Sequence, residues 1–201
     1  NNTYVAVGNS GTILRSTDNG SSFNTVTSGT TEGLRGVAFG NNTFLGVGKS
    51  GTILRSTDNG SSFDNTTSPV NRLDGIAFGN NTFVTASWGT RIGNSNSYGA
   101  GSISRSTDNG TTWENATLPT GATNTSYNHV AFGNNVFVVV GDNGTIVRSI
   151  DNGTTWDNAT SRTSVGLENI SFGNNTFVAV GYDGNIVRST DNGSSWDNAT
   201  S

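Results

Sequence analysis

The chain has 201 residues and a formal net charge of −4; only 12% of residues are charged, 28 are Gly, 2 are Pro, and Cys and Met are absent. That balance, with no Lys/Arg cluster, excludes a phosphate-gripping nucleic-acid binder. Without Cys there are no disulfides or thiolate metal sites, and no apolar run is long enough for a membrane-spanning helix.

From the amino end, an apolar strand begins at Thr3, a Gly-bearing turn follows, then Ile13-Leu14-Arg15-Ser16, then a tight turn at Asp18-Asn19-Gly20. The series restarts at Leu34 and recurs to the end. Its last copy is the clearest: strand A from Leu167 to Gly173, B from Thr176 to Gly181, C from Asn185 to Thr190 and D from Ser194 to Thr200. Asn-Asn, Asp-Gly and Asn-Gly separate the runs, and these residues accept the positive φ that tight hairpins need. No segment has a helical period. The other A strands are Leu34 to Gly40, Leu73 to Gly79 and Tyr127 to Gly133; the other B strands begin at Thr3, Thr43, Thr82 and Val136.

The marker of each copy is Ser-x-Asp-x-Gly-x-x-aromatic, with Asp at 18, 58, 108, 151 and 191, a spacing of 40, 50, 43 and 40 residues. Four short antiparallel strands per ~40 residues predict an all-β fold, a β-propeller of five blades. The blades are 1–29, 30–68, 69–118, 119–161 and 162–201 of one domain. Blade 1 lacks its innermost strand, so the chain reads either as a ring with one incomplete blade or as an arc of a larger propeller excised from a longer protein.

In each box the carboxylate (Asp18, Asp58, Asp108, Asp151, Asp191) is expected to accept N–H bonds of its own turn, with the left-handed Gly two residues on (Gly20, Gly60, Gly110, Gly153, Gly193). The aromatic (Phe23, Phe63, Trp113, Trp156, Trp196) packs on the hairpin or a neighbouring blade. The calcium-loop spacing does not continue, so no metal or cofactor is expected. An Arg precedes every box, at 15, 55, 105, 148 and 188. Carboxylates on strand D, at Asp64, Glu114, Asp157 and Asp197, are its expected partners, in preference to a five-fold cationic patch for an anionic partner.

The repeated phrase is an Asp-box (BNR repeat), and with the flanking Val-Gly-x-x-Gly-x-Ile-x-Arg-Ser-x-Asp the chain resembles the Ycf48-like photosystem II assembly factor family. Sialidases share the box but not the flanking pattern. The first resemblance implies a non-enzymatic propeller that binds membrane-protein partners; the second implies a degenerate glycosidase. A glycosidase of that type needs several Arg and a Tyr–Glu pair in one pocket, and neither its Arg motif nor any other catalytic motif is present. The single His129 has no ligand-like neighbours. Catalysis is not expected.

The A–B and C–D turns repeat monotonously on one face, while the B–C and D–A connections on the other vary. Blade 3 carries an insertion from Trp88 to Gly101. Loops on a rigid scaffold carry recognition, so Trp88, Arg91, Tyr98, Tyr127, Lys49 and Tyr182 are the candidate contacts for a protein or glycan partner, with self-assembly a further expectation. Sixteen Asn-x-Ser/Thr triplets start at Asn1, Asn19, Asn41, Asn59, Asn65, Asn80, Asn109, Asn115, Asn124, Asn143, Asn152, Asn158, Asn169, Asn174, Asn192 and Asn198. On a secreted chain they mark N-glycosylation sites. The expected protein is therefore a non-enzymatic binding or structural module of a secreted or cell-surface glycoprotein.

Overall fold

A computed structural model describes residues 2–68, 70, 72–89, 99–122 and 125–199. Its strands form five antiparallel sheets in chain order. Blade 1 holds β1 (Tyr4–Val7), β2 (Ile13–Ser16) and β3 (Asn24–Val26). Blade 2 holds β4 (Leu34–Gly40), β5 (Thr43–Gly48), β6 (Thr52–Ser56) and β7 (Asp64–Thr67). Blade 3 holds β8 (Gly75–Gly79), β9 (Thr82–Ser87), β10 (Ser102–Ser106) and β11 (Glu114–Asn115). Blade 4 holds β12 (Tyr127–Gly133), β13 (Val136–Gly141), β14 (Ile146–Ser149) and β15 (Asp157–Asn158). Blade 5 holds β16 (Leu167–Gly173), β17 (Thr176–Gly181), β18 (Ile186–Ser189) and β19 (Asp197–Asn198). The blades are consistent with the expected five-blade β-propeller, the first with three strands. The outer strands are shorter than the sequence suggests, two residues each in blades 3 to 5.

Turn chemistry sets these hairpins. Both central Asn of the A–B turns have positive φ, as at Asn41 (47°) and Asn42 (57°), the requirement of a two-residue turn matched to strand twist. In each box the Ser hydroxyl holds the turn closed: Ser189 Oγ donates to Asp191 Oδ1 at 2.7 Å and accepts from the Gly193 amide at 2.9 Å. The carboxylate then accepts from the amide and hydroxyl of Ser195 at 3.0 and 2.6 Å. The box carboxylates thus have the expected local role.

Blades join through a repeated contact. The box Gly of each blade lies against the third residue of the preceding blade's B strand: Gly60 on Val5, Gly110 on Leu45, Gly153 on Val84 and Gly193 on Val138. Each of those apolar residues is directly cross-strand from a periodic Arg, as Val5 from Arg15 and Leu45 from Arg55. Arg15 Nε donates to the Asn59 carbonyl at 2.8 Å, Arg55 Nε to that of Asn109 at 2.8 Å, and Arg105 Nη1 to that of Asn152 at 3.2 Å. Arg148 Nη1 reaches Ser194 Oγ of blade 5. The expected strand-D pairing holds only for Arg105 and Glu114 (2.6 Å) among the described periodic Arg. The reason is geometric: the neighbouring box brings acceptors that no reading of one blade alone reveals. Side-chain amides add a ladder, Asn41 to Asn109, Asn80 to Asn152 and Asn134 to Asn192, each near 3 Å.

Candidate functional site

The inner segments open with an apolar residue, then one that changes from blade to blade: Leu34-Arg35, Tyr127-Asn128 and Leu167-Glu168 at the start of β4, β12 and β16, and Leu73-Asp74 just ahead of β8, which begins at Gly75 and not at Leu73 as expected. The register slips by one residue between Leu34 and Gly36, between Tyr127 and His129, and between Leu167 and Asn169. Arg35, Asn128 and Glu168 are therefore the extra residues of three β-bulges, a device that re-aims a side chain out of the ladder. With Asp74 they line a cavity of about 440 Å³ on the B–C/D–A face, to which blade 1 adds Gly8 and Asn9 and blade 3 adds Arg72 and Trp88. All five blades contribute.

A polar chain runs across this funnel. Arg72 meets Asp74 Oδ1 through Nη2 at 2.9 Å and Nε at 3.0 Å, and Arg35 Nε approaches the same oxygen at 3.4 Å. The Arg72 guanidinium lies 4.4 Å above the Trp88 ring centroid, an orientation that favours a cation on the π-face. The Trp88 indole N–H donates to Asn128 Oδ1. Asn128 Nδ2 in turn donates to the Leu167 carbonyl at 2.9 Å and lies 3.3 Å from carboxylate oxygens of Asp142 and Glu168. Glu168, by hydrogen bonding and by charge, and the Asp142 charge raise the Tyr182 pKa. Of the four buried side-chain polar atoms without a partner among the described residues, two belong to residues of this funnel, Asp74 Oδ2 and His129 Nδ1. Burial lowers the His129 pKa against a bond to the Ile170 backbone, so the ring faces the cavity neutral. Paired positive and negative groups, an aromatic wall and bare acceptors suit a polar, hydrogen-bonding ligand.

Of the residues singled out from sequence, the structure brings Trp88 into the funnel wall and Tyr182 to its Glu168 edge. Lys49 is exposed on the B–C turn of blade 2 and bridges to Arg72 through its backbone. Tyr127 is corrected: it lies in β12, wholly buried, with its hydroxyl donating to the Ala122 carbonyl at 2.7 Å. Burial raises its pKa to about 12. It braces the loop and offers no contact. Arg91 and Tyr98 lie outside the described residues, as do Asn1 and Asn124. Asp74 and Asn128 are not among the sequence candidates; the signal for them is the second inner-segment position, polar in all four copies and different in each. No group of three metal-ligating side chains occurs among the described residues.

A family model described as the DUF6242 beta propeller domain matches residues 73–201. No curated protein matches the chain. Among solved structures, Ycf48 bound to D1 peptide is 20% identical with a TM-score of 0.67, over 96% of this chain. The chain spans 62% of that protein's length. Ycf48 from Cyanidioschyzon merolae is 16% identical with a TM-score of 0.62, covering 98% of this chain and 81% of that one. An ancestral GH74 enzyme gives a TM-score of 0.74 at 19% identity, over 99% of this chain and 29% of that one. At such identities the likeness is one of fold.

Proposed function

The chain belongs to the DUF6242 beta propeller domain family, and on that footing we propose that it is a non-enzymatic binding module whose funnel takes a polar peptide segment of a protein partner. The observation that carries this reading is the funnel itself, where the position of the inner segments that differs in every blade, Arg35, Asp74, Asn128 and Glu168, converges from four blades beside Trp88. The turns and boxes repeat, and the residues that a ligand would touch vary. A structural neighbour, Ycf48 bound to D1 peptide, supports a peptide as the ligand class. The periodic Arg are poor candidates for that contact, because four of the five bond to the next blade. The test is selection from a random peptide display library against the intact protein. Peptides so selected lose at least about thirtyfold in affinity on Arg72→Ala and on Trp88→Ala, the cost of a hot-spot residue. Peptides that bind both variants as well as the parent defeat the reading.

One observation favours a hydrolytic alternative: the Tyr182–Glu168 pair borders the same funnel as Arg35 and Arg72. Against it, Glu168 is itself tied to Asn128. Fluorogenic sialosides and hexosides should not be turned over; turnover abolished by Tyr182→Phe would establish the enzyme.

We place the protein at the cell surface or outside the cell, as a glycoprotein, on its wealth of Asn, Ser and Thr and its lack of Cys. The acceptor nitrogens of Asn41, Asn59 and Asn80 already donate across blades, so sugar belongs on the other turns. An intact mass of native material without added hexose removes this reading.

A further inference from the structure

The funnel separates charge between its two sides. On the side of blades 2 and 3, Arg35 and Arg72 approach the same oxygen of Asp74, so two guanidinium groups share one carboxylate. Arg72 uses Nε and Nη2 there, and Arg35 uses Nε. Arg72 Nη1 and both Nη of the exposed Arg35 make no hydrogen bond among the described residues, which leaves donors in the fork geometry that a carboxylate accepts. On the side of blades 4 and 5, Asp142 and Glu168 each lie 3.3 Å from one amide nitrogen, Asn128 Nδ2, and neither pairs with a cation among the described residues. Tyr182, 55% exposed, stands in the same corner. A Cβ at Gly166 would come 3.4 Å from the Tyr182 ring and 3.7 Å from Asp142 Oδ1, so ring and carboxylate flank one glycine. Two carboxylates beside an open phenol ring are surroundings that suit an ammonium or guanidinium group. Trp88 joins the two sides, with Arg72 over its face and its indole N–H on Asn128. Asp74, its side chain nine-tenths buried in the funnel wall, keeps Oδ2 without a donor, and a peptide N–H would supply one.

We propose that the segment taken by the funnel is amphoteric: an acidic side chain meets Arg35 and Arg72, a basic side chain enters the corner of Asp142, Glu168 and Tyr182, and the stretch between them crosses Trp88. This rests on the peptide reading given above and adds the charge pattern that the peptide must carry. A segment of one sign is attracted at one side of the funnel and repelled at the other, and juxtaposed like charges are what suppress a wrong partner. A segment with both signs satisfies both sides, and it also fixes the direction in which the chain lies across the blades.

Charge reversal on peptides selected from the random display library tests this. Those that require Trp88 are expected to carry an acidic and a basic residue together. Glu168→Lys and Arg35→Glu, both at exposed positions, should each weaken such a peptide at least about tenfold, whereas Asp157→Asn, exposed on an outer strand, should not. The peptide with its basic residue changed to Glu should recover its affinity on Glu168→Lys, and the peptide with its acidic residue changed to Lys should recover it on Arg35→Glu. A merely structural role for Arg35 or Glu168 would give the loss without the recovery. Peptides that need Trp88 but carry one sign of charge or none overturn the amphoteric assignment and leave the peptide reading standing, as do reversed peptides that fail to recover. A selection in which no peptide depends on Trp88 overturns both.

Discussion

At the scale of single residues, the box is a carboxylate held ionised by its own turn. The Ser62 hydroxyl, the Ser62 amide and the Ser56 hydroxyl bring Asp58 down to about 2. For Asp191 burial opposes the shift, yet the Ser195 hydroxyl and amide with Ser189 still hold it at about 2. Asp18 falls lower still, chiefly through the hydroxyls of Ser22 and Ser16. These folded values lie below the ordinary 3.8, so between the two the unfolded chain binds more protons than the folded one. The stabilisation is complete above the ordinary carboxylate range and is lost as pH falls towards 2. Thermal midpoints should therefore drop across that window. Asp191→Asn should melt below the parent at about pH 6 and approach it near pH 2, because the parent has by then lost the same interaction. A gap of constant size would show that the carboxylate's charge plays no part.

At the scale of elements, the repeated strand C Arg and box Gly turn five hairpins into one arc. Gly110 and Gly20 both have φ near +80°, so Ala at either carries the same left-handed strain. They differ in surroundings: a Cβ at 110 would sit 2.6 Å from Leu45 Cδ1, whereas at 20 it meets open space. Gly110→Ala should destabilise by at least about 1 kcal/mol more than Gly20→Ala, the overpacking cost. Urea unfolding of the two variants checks this, and equal losses would mean the blade contact yields freely. The same comparison shows what sequence made legible. Turns, strand order and the box come from local chemistry that each repeat states in full, so Asn41-Asn42 and Asp191 behave as read. The Arg55 partner was misread because its acceptor, the Asn109 carbonyl, belongs to another blade. The funnel was half-read. Trp88 stood out as an aromatic in an insertion, but Asn128 gains its role from a bulge and from Trp88, and neither shows in a strand pattern.

At the scale of the molecule, stability in a repeat array is close to a sum of blade terms and nearest-neighbour contacts. Blades 2, 3 and 4 each have packed neighbours on both sides, and every residue of β5, β9 and β13 is buried. In blade 5 the pattern of β17 alternates between buried and exposed, and β1 has no buried residue. Local opening should therefore cost least at the ends. Amide hydrogen exchange in dilute solution is expected to be slowest in β9 and β13, and at least about tenfold faster in β1, β2, β17 and β18, where opening breaks one blade contact instead of two. Uniform protection in dilute solution would mean that blade 5 closes on blade 1 of its own chain, and would replace the open arc with a ring.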